Sequence, residues 1–377
     1  MRPNRPLKFS AALGLLALAA VAAAFGQPVV SPEVHADGRV TFRLAAPDAR
    51  QVTLRCETVT DGAMQRDAAG VWSITTAPLA PDIYVYSFLV DGIRALDPGN
   101  PVLKYNVFST ENQVHVPGPP TLPWEINDVP RGVVHHHFYR SAIVGDDREF
   151  YVYTPPGYDP GAASPYPVLY LLHGYSDAAD TWVTVGRANV ILDNLIARGL
   201  AKPMVVVMPL GYGNREVLAG GWAHVRSPDF RAISAASDAR FRDSLFGEVM
   251  PMVEHAYRVS SAPQDRAIAG LSMGGAQALF IGLNAPNRFA WIGAFGSGGL
   301  AADFDAAYPA VGAATNDRLR LLWLACGQQD GLLTVNRKLD AWLTRKGVRH
   351  DWTEVPGEHS FRTWRPLLAK FAPMLFR

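Results

Sequence analysis

The spacing of hydrophobic residues changes near residue 117 of this chain. In the preceding part, short apolar runs alternate with polar residues, which is typical of strands that bury one face. The runs predict strands at 40–44, 51–55, 71–75, 84–90 and 93–96, the last two joined by a hairpin turn at Asp91-Gly92. No helical period interrupts them, so residues 27–116 are predicted to form a small all-β, immunoglobulin-like sandwich.

A proline-rich segment separates this region from the remainder of the chain. Proline occupies four of the seven positions at 117–123. Because proline neither donates a hydrogen bond to a sheet nor continues a helix, this segment is predicted to be a domain linker.

The second region, 124–377, contains near-continuous apolar runs of the kind found in parallel strands that are buried on both faces. These runs lie at 168–172, 205–208, 267–271, 292–295 and 321–326. Amphipathic segments predict helices at 190–198, 245–257 and 334–346, and alternating segments predict an antiparallel edge pair at 133–139 and 149–154. We therefore expect an α/β domain with a doubly wound sheet.

The first 26 residues have the layout of an export signal. Arg2, Arg5 and Lys8 precede an uncharged run at 9–25, which ends among small residues. The pattern predicts a Sec-type signal peptide that is cleaved near Ala24 or Gly26, leaving a secreted or periplasmic protein with no membrane association. An uncleaved membrane anchor is the alternative, but the run is alanine-rich and short for a bilayer span.

Composition excludes several classes of partner. The net charge is +1 and no basic cluster is interleaved with aromatic residues, which gives no support for nucleic-acid binding. His135, His136 and His137 alternate in direction along a strand and therefore do not converge on a metal. Cys56 and Cys326 are expected to be unpaired, buried and inert. No cofactor or metal is predicted. The balanced net charge is most consistent with a small neutral substrate.

The segment Gly270-Leu271-Ser272-Met273-Gly274 carries the first indication of chemistry. It follows an apolar strand and precedes a segment compatible with a helix, as in a nucleophile elbow. The sharp reversal of such a turn strains the central residue and leaves room only for very small residues two positions away. This pattern predicts Ser272 as a nucleophile for acyl transfer.

Two more strand ends carry the residues that such a serine needs. Asp330 follows the strand at 321–326, and His359 follows a strand at 352–355. The carboxyl ends of parallel strands meet at one edge, so we expect Ser272, Asp330 and His359 to form a catalytic triad. His359 is the predicted base and Asp330 the acid that orients it. The competing candidates for the acid role are Asp305, Asp317 and Glu358.

The strand at 168–172 runs into His173-Gly174-Tyr175. In a fold of this kind, an amide in that loop joins the amide that follows the nucleophile to form the oxyanion hole. We therefore predict the backbone N–H groups of Tyr175 and Met273 as its donors. His173 is expected to orient the loop and not to carry a proton.

Several aromatic residues lie close to these loops in the sequence. The loop at 211–230 is long and glycine-rich, and Trp222 is its strongest candidate for contact with substrate. Trp182, Phe361 and Trp364 are further candidates. For each of them, a position in the hydrophobic core is the alternative.

The motifs of this chain resemble those of the bacterial serine esterases grouped with esterase D, and especially the feruloyl esterase domains of xylan-degrading enzymes. The resemblance covers about 131–375 and rests on 186–191, 266–275, the segment from Ala325 to Asp330, and Gly357 with His359. It implies an α/β-hydrolase fold with Ser272, Asp330 and His359 as triad and the Tyr175 and Met273 amides as oxyanion hole. The preceding β-region is similar to early-set, glycogen-binding-like modules. Many relatives have Gly-Gly-His where this chain has Gly-Glu-His at 357–359.

Three functions compete at this point. The first is an exported serine esterase that removes feruloyl or acetyl groups from plant cell-wall polysaccharide. The second is a periplasmic hydrolase of siderophores or other small esters, since the resembling family also includes such enzymes. The third is a non-catalytic carbohydrate-binding protein that has kept the fold. The sequence indicates the esterases, because the serine, acid and base all occupy strand ends in the expected order.

Overall fold

The computed structural model describes residues 29–285 and 287–377. The predicted export signal, 1–26, lies outside the described residues. Within the described part of the chain, no helix is long and apolar enough to cross a membrane. The described chain divides into two compact units. The first contains residues 29–80, Tyr84–Leu103 and Asn112–Val116, and the second contains Pro81–Ile83, Lys104–Glu111 and Pro117–Arg377.

The strands of the described residues are β1 Glu33–Val34, β2 Val40–Ala45, β3 Val52–Cys56, β4 Gln65–Arg66, β5 Val71–Thr75, β6 Asp82–Val90, β7 Ile93–Ala95, β8 Leu103–Lys104, β9 Glu111–Val116, β10 Val133–Arg140, β11 Asp147–Thr154, β12 Val168–Leu172, β13 Val205–Pro209, β14 Arg266–Leu271, β15 Trp291–Phe295, β16 Leu321–Gly327 and β17 Asp351–Val355. The helices are α1 Thr181–Thr184, α2 Ala188–Ala197, α3 Gly221–His224, α4 Phe230–Ser244, α5 Met250–Ala256, α6 Met273–Asn284, α7 Phe304–Ala307, α8 Leu333–Arg345 and α9 Phe361–Phe371.

The first unit is built on two antiparallel sheets. One has the strand order β1-β2-β5-β4, and the other has the order β3-β6-β9-β8 with β7 paired to β6. Alternate residues of both sheets meet in one core, where the rings of Phe42 and Tyr86 lie 4.6 Å apart. These two antiparallel sheets agree with the predicted β-structure of this region, and its assignment as an immunoglobulin-like module of the early-set type stays a prediction. Cys326 is buried, as predicted, whereas Cys56 is only partly buried.

The second unit is built on an eight-stranded sheet with the order β10-β11-β13-β12-β14-β15-β16-β17. Strands β12 to β17 pair in parallel, whereas β10 and β11 form the predicted antiparallel pair at one edge. The predicted α/β architecture is confirmed, because helices cover both faces of this sheet.

Side chains of the parallel strands serve two cores in alternation. Leu169 and Leu171 of β12 face a core that contains helices α2 and α9. Tyr170, between them, faces a second core that contains α4, α5, α6 and α8. Because both faces are covered, the strands β12, β13 and β15 are apolar at every position, which explains their unbroken hydrophobic runs.

One helix begins well before its predicted start at residue 245. The structure has α4 at Phe230–Ser244, which continues through a wider turn at Leu245–Val249 into α5. Within α4, only three residues are buried, Ser237, Phe241 and Ser244. So few apolar contacts leave little helical periodicity in the sequence, and the helix was missed for that reason.

Candidate active site

Ser272 lies on the sharp turn between β14 and α6. Its backbone has φ +51° and ψ −119°, in a region that side chains other than glycine rarely adopt. A Cβ on Gly270 would lie 2.4 Å from the carbonyl oxygen of Gly274, and one on Gly274 would lie 2.5 Å from that of Leu172. The two glycines are therefore required by close backbone approach, as the elbow pattern predicts.

We expect Gly274→Ala to destabilise the second unit and to reduce activity. The atoms nearest to the added methyl group are backbone atoms, which cannot move away without a shift of the turn. We expect this shift to lower the free energy of unfolding by about 1–3 kcal/mol. Chemical denaturation of the purified variant measures this loss. Gly312→Ala is the matched control, since a Cβ there meets no atom within 4 Å. Equal stability of the two variants would contradict the steric argument.

A chain of hydrogen bonds joins the three residues predicted at the strand ends. The Ser272 Oγ lies 2.9 Å from the His359 Nε2, and the His359 Nδ1 lies 2.7 Å from the Asp330 Oδ2. Because a carboxylate only accepts hydrogen bonds, Nδ1 carries the proton and Nε2 is free to accept from the serine. The side chain of Asp330 is 1% exposed and that of His359 is 34% exposed.

The Asp330 carboxylate has two tasks. Its Oδ2 accepts from His359, while its Oδ1 accepts from the Leu332 amide at 2.8 Å, close to the start of α8. A turn-forming role and an orienting role therefore coexist in one residue. The side chain of Cys326 lies beside this carboxylate, and burial, together with that negative charge, raises the pKa of its thiol to about 12.

The three competing acids, and the histidine His350 near the same strand as His359, have other positions. Asp305 pairs with Lys346, and Asp317 ends a short turn before β16. Glu358 directly precedes His359, and its backbone carbonyl accepts a hydrogen bond from the Thr363 hydroxyl. His350 pairs with Asp340, at 2.9 Å, just before β17 and so at the opposite edge of the sheet. None of these lies in the hydrogen-bonded chain that leads to Ser272.

The carbonyl oxygen of Gly174 fixes the loop that follows β12. It accepts from the Nδ1 of His173 at 2.8 Å, from the Asp177 amide at 3.2 Å and from the Tyr212 hydroxyl at 3.3 Å. In a planar trans peptide, the N–H of Tyr175 points opposite to this carbonyl. The predicted oxyanion donor is therefore held in a defined direction, and Gly174 lies beside Ser272.

His173 is neutral in this arrangement. The Gly211 amide donates to its Nε2 at 2.8 Å, so its Nδ1 must carry the proton that goes to the Gly174 carbonyl. Burial lowers the pKa of His173 to about 4. The residue therefore orients the loop, in agreement with the sequence-based prediction.

The second predicted donor, the N–H of Met273, lies in the first turn of α6. The first four N–H groups of a helix have no partner within the helix and form its positive end. This amide is adjacent to Ser272 in the chain. It therefore offers a donor where negative charge would develop on an attacked carbonyl oxygen.

The aromatic candidates divide into two groups. Trp222 is 57% exposed, and its ring meets that of Tyr175 edge-on at 5.2 Å. Trp182 and Phe361 are 0% and 5% exposed and pack edge-on against each other at 5.6 Å. The Trp182 Nε1 also donates to the Leu172 carbonyl, which completes its burial. The predicted substrate contacts of Trp182 and Phe361 are therefore wrong, because both side chains lie in the core.

Trp364 is also buried, but it contacts the candidate site. Its ring meets the imidazole of His359 edge-on at 4.8 Å. It therefore supports the face of His359 and offers no surface to a substrate.

Sequence reasoning missed the contribution of Lys104–Glu111, which belongs to the second unit. The ring of Phe108 lies 5.7 Å from that of Tyr175 and 6.0 Å from that of Trp222. Asn106 donates to the side chains of Ser176 and Asp177. No sequence signal links this segment to the loop after β12, because the contacts join residues about 70 positions apart.

The Asp177 carboxyl behind this loop is buried, and burial raises its pKa to about 6. Its folded-state pKa therefore exceeds the value of 3.8 expected for an exposed aspartate. The native state consequently binds the proton more tightly, so this group's contribution to stability is present below about pH 4 and is lost as pH rises through 6.

Asp177→Asn cannot ionise at this position. We therefore expect its free energy of unfolding, relative to that of the wild type, to be higher at pH 8 than at pH 4.5. The pKa difference corresponds to a change of about 2 kcal/mol in relative free energy of unfolding between these pH values. Urea denaturation at both pH values tests it, with the exposed Asp128→Asn as control. A pH-independent effect of Asp177→Asn would contradict the assignment.

The histidine run lies on the edge strand β10. The His136 Nε2 lies 2.7 Å from a Glu149 carboxylate oxygen, whereas the His137 Nε2 lies 2.5 Å from the Tyr257 hydroxyl. Within residues 29–285 and 287–377, no three His, Cys, Asp or Glu side chains come together as metal ligands.

The chain is similar to a family of known proteins. A family model described as putative esterase matches residues 141–375. An endo-1,4-beta-xylanase/feruloyl esterase from Xylanibacter ruminicola is 30% identical over 359 residues, which is 92% of this chain and 46% of that protein. An uncharacterised protein from Corynebacterium glutamicum is 26% identical over 250 residues, 59% of this chain and 56% of that protein. The chain thus spans about half the length of these curated relatives.

Solved structures share the fold. A ferulic acid esterase from Anaeromyces mucronatus in complex with ferulic acid is 25% identical, with a TM-score of 0.55, over 67% of this chain and 93% of that one. An enterobactin esterase from Shigella flexneri is 20% identical, with a TM-score of 0.68, over 93% of this chain and 97% of that one.

Proposed function

The chain belongs to the putative esterase family, and on that premise we propose that it is an exported serine esterase acting on feruloyl or acetyl esters of plant cell-wall polysaccharide. The observation that carries the proposal is the hydrogen-bonded chain from Ser272 through His359 to Asp330. This arrangement supplies a nucleophile, a base and an orienting carboxylate in the order that ester hydrolysis requires.

In the acylation step, the Ser272 Oγ attacks the ester carbonyl carbon while the Nε2 of His359 takes the hydroxyl proton. The negative charge that develops on the carbonyl oxygen is stabilised by the N–H groups of Tyr175 and Met273. Asp330 stabilises the imidazolium that forms and keeps the ring in the productive tautomer. His359 then gives its proton to the leaving alcohol, which leaves an acyl-enzyme on Ser272.

Deacylation repeats these roles with water as the nucleophile. His359 takes a proton from the water, which attacks the acyl carbon, and then returns a proton to the Ser272 Oγ as the acid product leaves. No cofactor or metal is needed for either step. The partial exposure of His359 gives water access to its Nε2, whereas Asp330 remains buried behind it.

Two lines of support favour an aromatic acid as the product. The first is the exposed ring of Trp222 beside Tyr175, at the side of the loop that carries the proposed oxyanion donor. The second is the 30% identity to an endo-1,4-beta-xylanase/feruloyl esterase. The predicted export signal would place the enzyme outside the cytoplasm, where it would have access to cell-wall polysaccharide.

A periplasmic siderophore esterase is the second candidate. It is favoured by the enterobactin esterase likeness, which extends over 93% of this chain and so includes the β-region as well as the α/β unit. That likeness is one of fold, and the two candidates share the same chemistry at Ser272.

Assays of the purified protein on methyl ferulate, feruloylated arabinoxylan, acetylated xylan and a catecholate trilactone would distinguish them. We expect turnover of a ferulate or acetyl ester. Cleavage of the trilactone with inertness toward both plant esters would favour the siderophore reading. If no ester is turned over and a fluorophosphonate probe does not label Ser272, the esterase proposal fails in favour of a non-catalytic carbohydrate-binding protein.

We expect Trp222→Ala to raise the KM for methyl ferulate about 3- to 10-fold with little change in kcat. The estimate corresponds to the loss of one aromatic contact of about 0.5–1.5 kcal/mol. Steady-state kinetics on methyl ferulate and on an aliphatic methyl ester check it, since the aliphatic ester has no ring to lose. The control is Trp352→Ala, on the edge strand β17. An equal loss on both esters would contradict a ring-binding role.

A further inference from the structure

The segment Lys104–Glu111 is hydrogen-bonded to the loop that follows β12. The Val107 amide donates to the Ser176 carbonyl at 2.8 Å. The Asn106 Nδ2 donates to the Ser176 Oγ at 2.8 Å and to the Asp177 Oδ1 at 3.2 Å. The Asn106 Oδ1 accepts from the Phe108 amide at 3.1 Å, which fixes the amide group's orientation. Three hydrogen bonds thus meet the two residues directly after Tyr175.

We propose that Asn106 is a positioning residue that holds the Tyr175 N–H in place as an oxyanion donor. The inference rests on the proposed function, because it concerns the same Ser272-dependent reaction. Asn106 is assigned no contact with substrate. It acts through Ser176 and Asp177 on the backbone of the loop.

The backbone conformation of Ser176 explains why the hydrogen bonds from Asn106 and Val107 matter. This residue has φ +68°, in the left-handed region, and its side chain is 1% exposed. Such a conformation costs a non-glycine residue free energy and persists only where its surroundings fix it. Asn106 and Val107 supply that constraint from outside the loop, through the side chain and the carbonyl of Ser176.

The residues on both sides of Tyr175 are therefore held by different parts of the unit. On one side, the Gly174 carbonyl is fixed by His173 and Tyr212. On the other side, the Ser176 carbonyl and hydroxyl are fixed by Lys104–Glu111. The loss of one anchor lets the loop relax out of its strained conformation, and the Tyr175 N–H turns with it. A donor that must lie about 2.7–3.1 Å from the oxyanion tolerates little movement.

Asp177 adds a second reason for an amide at this position. Its carboxylate is buried, and the hydrogen bond that the Asn106 Nδ2 donates to it favours the charged form, whereas burial opposes that form. Removing this donor leaves a buried carboxylate with one partner fewer, which costs free energy in the present loop conformation. Both effects loosen the same loop.

The test compares Asn106→Ala and Asn106→Asp with the wild type on methyl ferulate or whichever ester the wild type turns over best. The aspartate variant keeps the shape of Asn106 and removes the N–H donors. We expect kcat to fall about tenfold in both variants with KM within twofold, which is below the 10²- to 10³-fold effect of losing a whole donor.

Transition-state mimicry supplies a readout that loss of stability would not move. An arylboronic acid forms a tetrahedral adduct with Ser272 and places an oxygen in the oxyanion hole, whereas ferulic acid binds as ground-state product. We expect the inhibition constant of the boronic acid to rise in parallel with the fall in kcat, while that of ferulic acid stays within twofold. Asn106→Ser, which is too short to reach both acceptors, replaces alanine if that variant does not fold.

Asn194→Ala is the matched control for lost hydrogen bonds. The Asn194 Nδ2 donates to the Pro123 and Glu125 carbonyls at 2.7 and 2.8 Å, away from the loop. We expect it to lower the melting temperature at least as much as the Asn106 variants do, and to leave kcat within twofold. An Asn106 series that keeps wild-type kcat and boronic acid affinity, or that raises KM alone, overturns the inference. A wild type that hydrolyses no ester overturns the proposed function instead.

Discussion

Replacing Ser272 by alanine is expected to lower kcat for ester hydrolysis by at least about 10⁴-fold. The serine Oγ is the only atom of the hydrogen-bonded chain placed to attack, since His359 and Asp330 act through it. In serine hydrolases, the three members work as a unit, so removing the nucleophile eliminates nearly all of their joint contribution. Hydrolysis of methyl ferulate by the two purified proteins, with fluorophosphonate labelling as a second readout, measures the effect.

Ser297→Ala is the matched control. Ser297 follows β15 at the neighbouring strand end and is fully buried, but its amide, not its hydroxyl, is engaged, with Asn336. Its variant should keep activity within about threefold and should be labelled by the probe. Equal activity of Ser272→Ala and wild type would place the nucleophile elsewhere and remove the basis for the proposed mechanism.

The sequence allowed the sheet and the reactive loops to be predicted because both depend on local rules. The strand at 168–172 was predicted with the bounds that the structure has, since a strand buried on both faces leaves an unbroken apolar run. The positions of Asp330 and His359 followed from parallel strand order alone, which brings carboxyl ends to one edge. The glycines around Ser272 reflect backbone contacts within one turn.

The remainder of the site depends on contacts that no local rule describes. Trp182 and Trp222 have the same side chain and lie near loops, yet one is enclosed by the core and the other is exposed. What separates them is the packing of α1 and α9, which a sequence pattern does not specify. The same holds for Asn106 and Phe108, whose segment reaches the loop after β12 only through the fold. Contacts between residues that are far apart in the sequence, such as these, were therefore missed.

The largest effect on stability is expected from Asp82→Ala, in the second unit. The carboxylate of Asp82 lies 3.1 Å from a guanidinium nitrogen of Arg365 and accepts from the Trp124 Nε1, also at 3.1 Å. The side chains of Arg365 and Asp82 are 1% and 11% exposed. Removing one partner leaves the guanidinium charge buried without its counter-charge, at a cost of about 3–5 kcal/mol.

Thermal and urea denaturation of Asp82→Ala should therefore show a lower midpoint, by roughly 10 °C in the thermal case. Arg140→Met removes the exposed pair with Asp147 and should leave the midpoint nearly unchanged, because exposed pairs contribute little. The decisive variant is Asp82→Leu combined with Arg365→Met, which removes both charges. If burial of an unpaired charge causes the loss, the double variant is more stable than either single one. If the double variant is instead the least stable, the pair stabilises the unit through its hydrogen bonds, with the Ile83 and Val185 carbonyls as the remaining acceptors of Arg365.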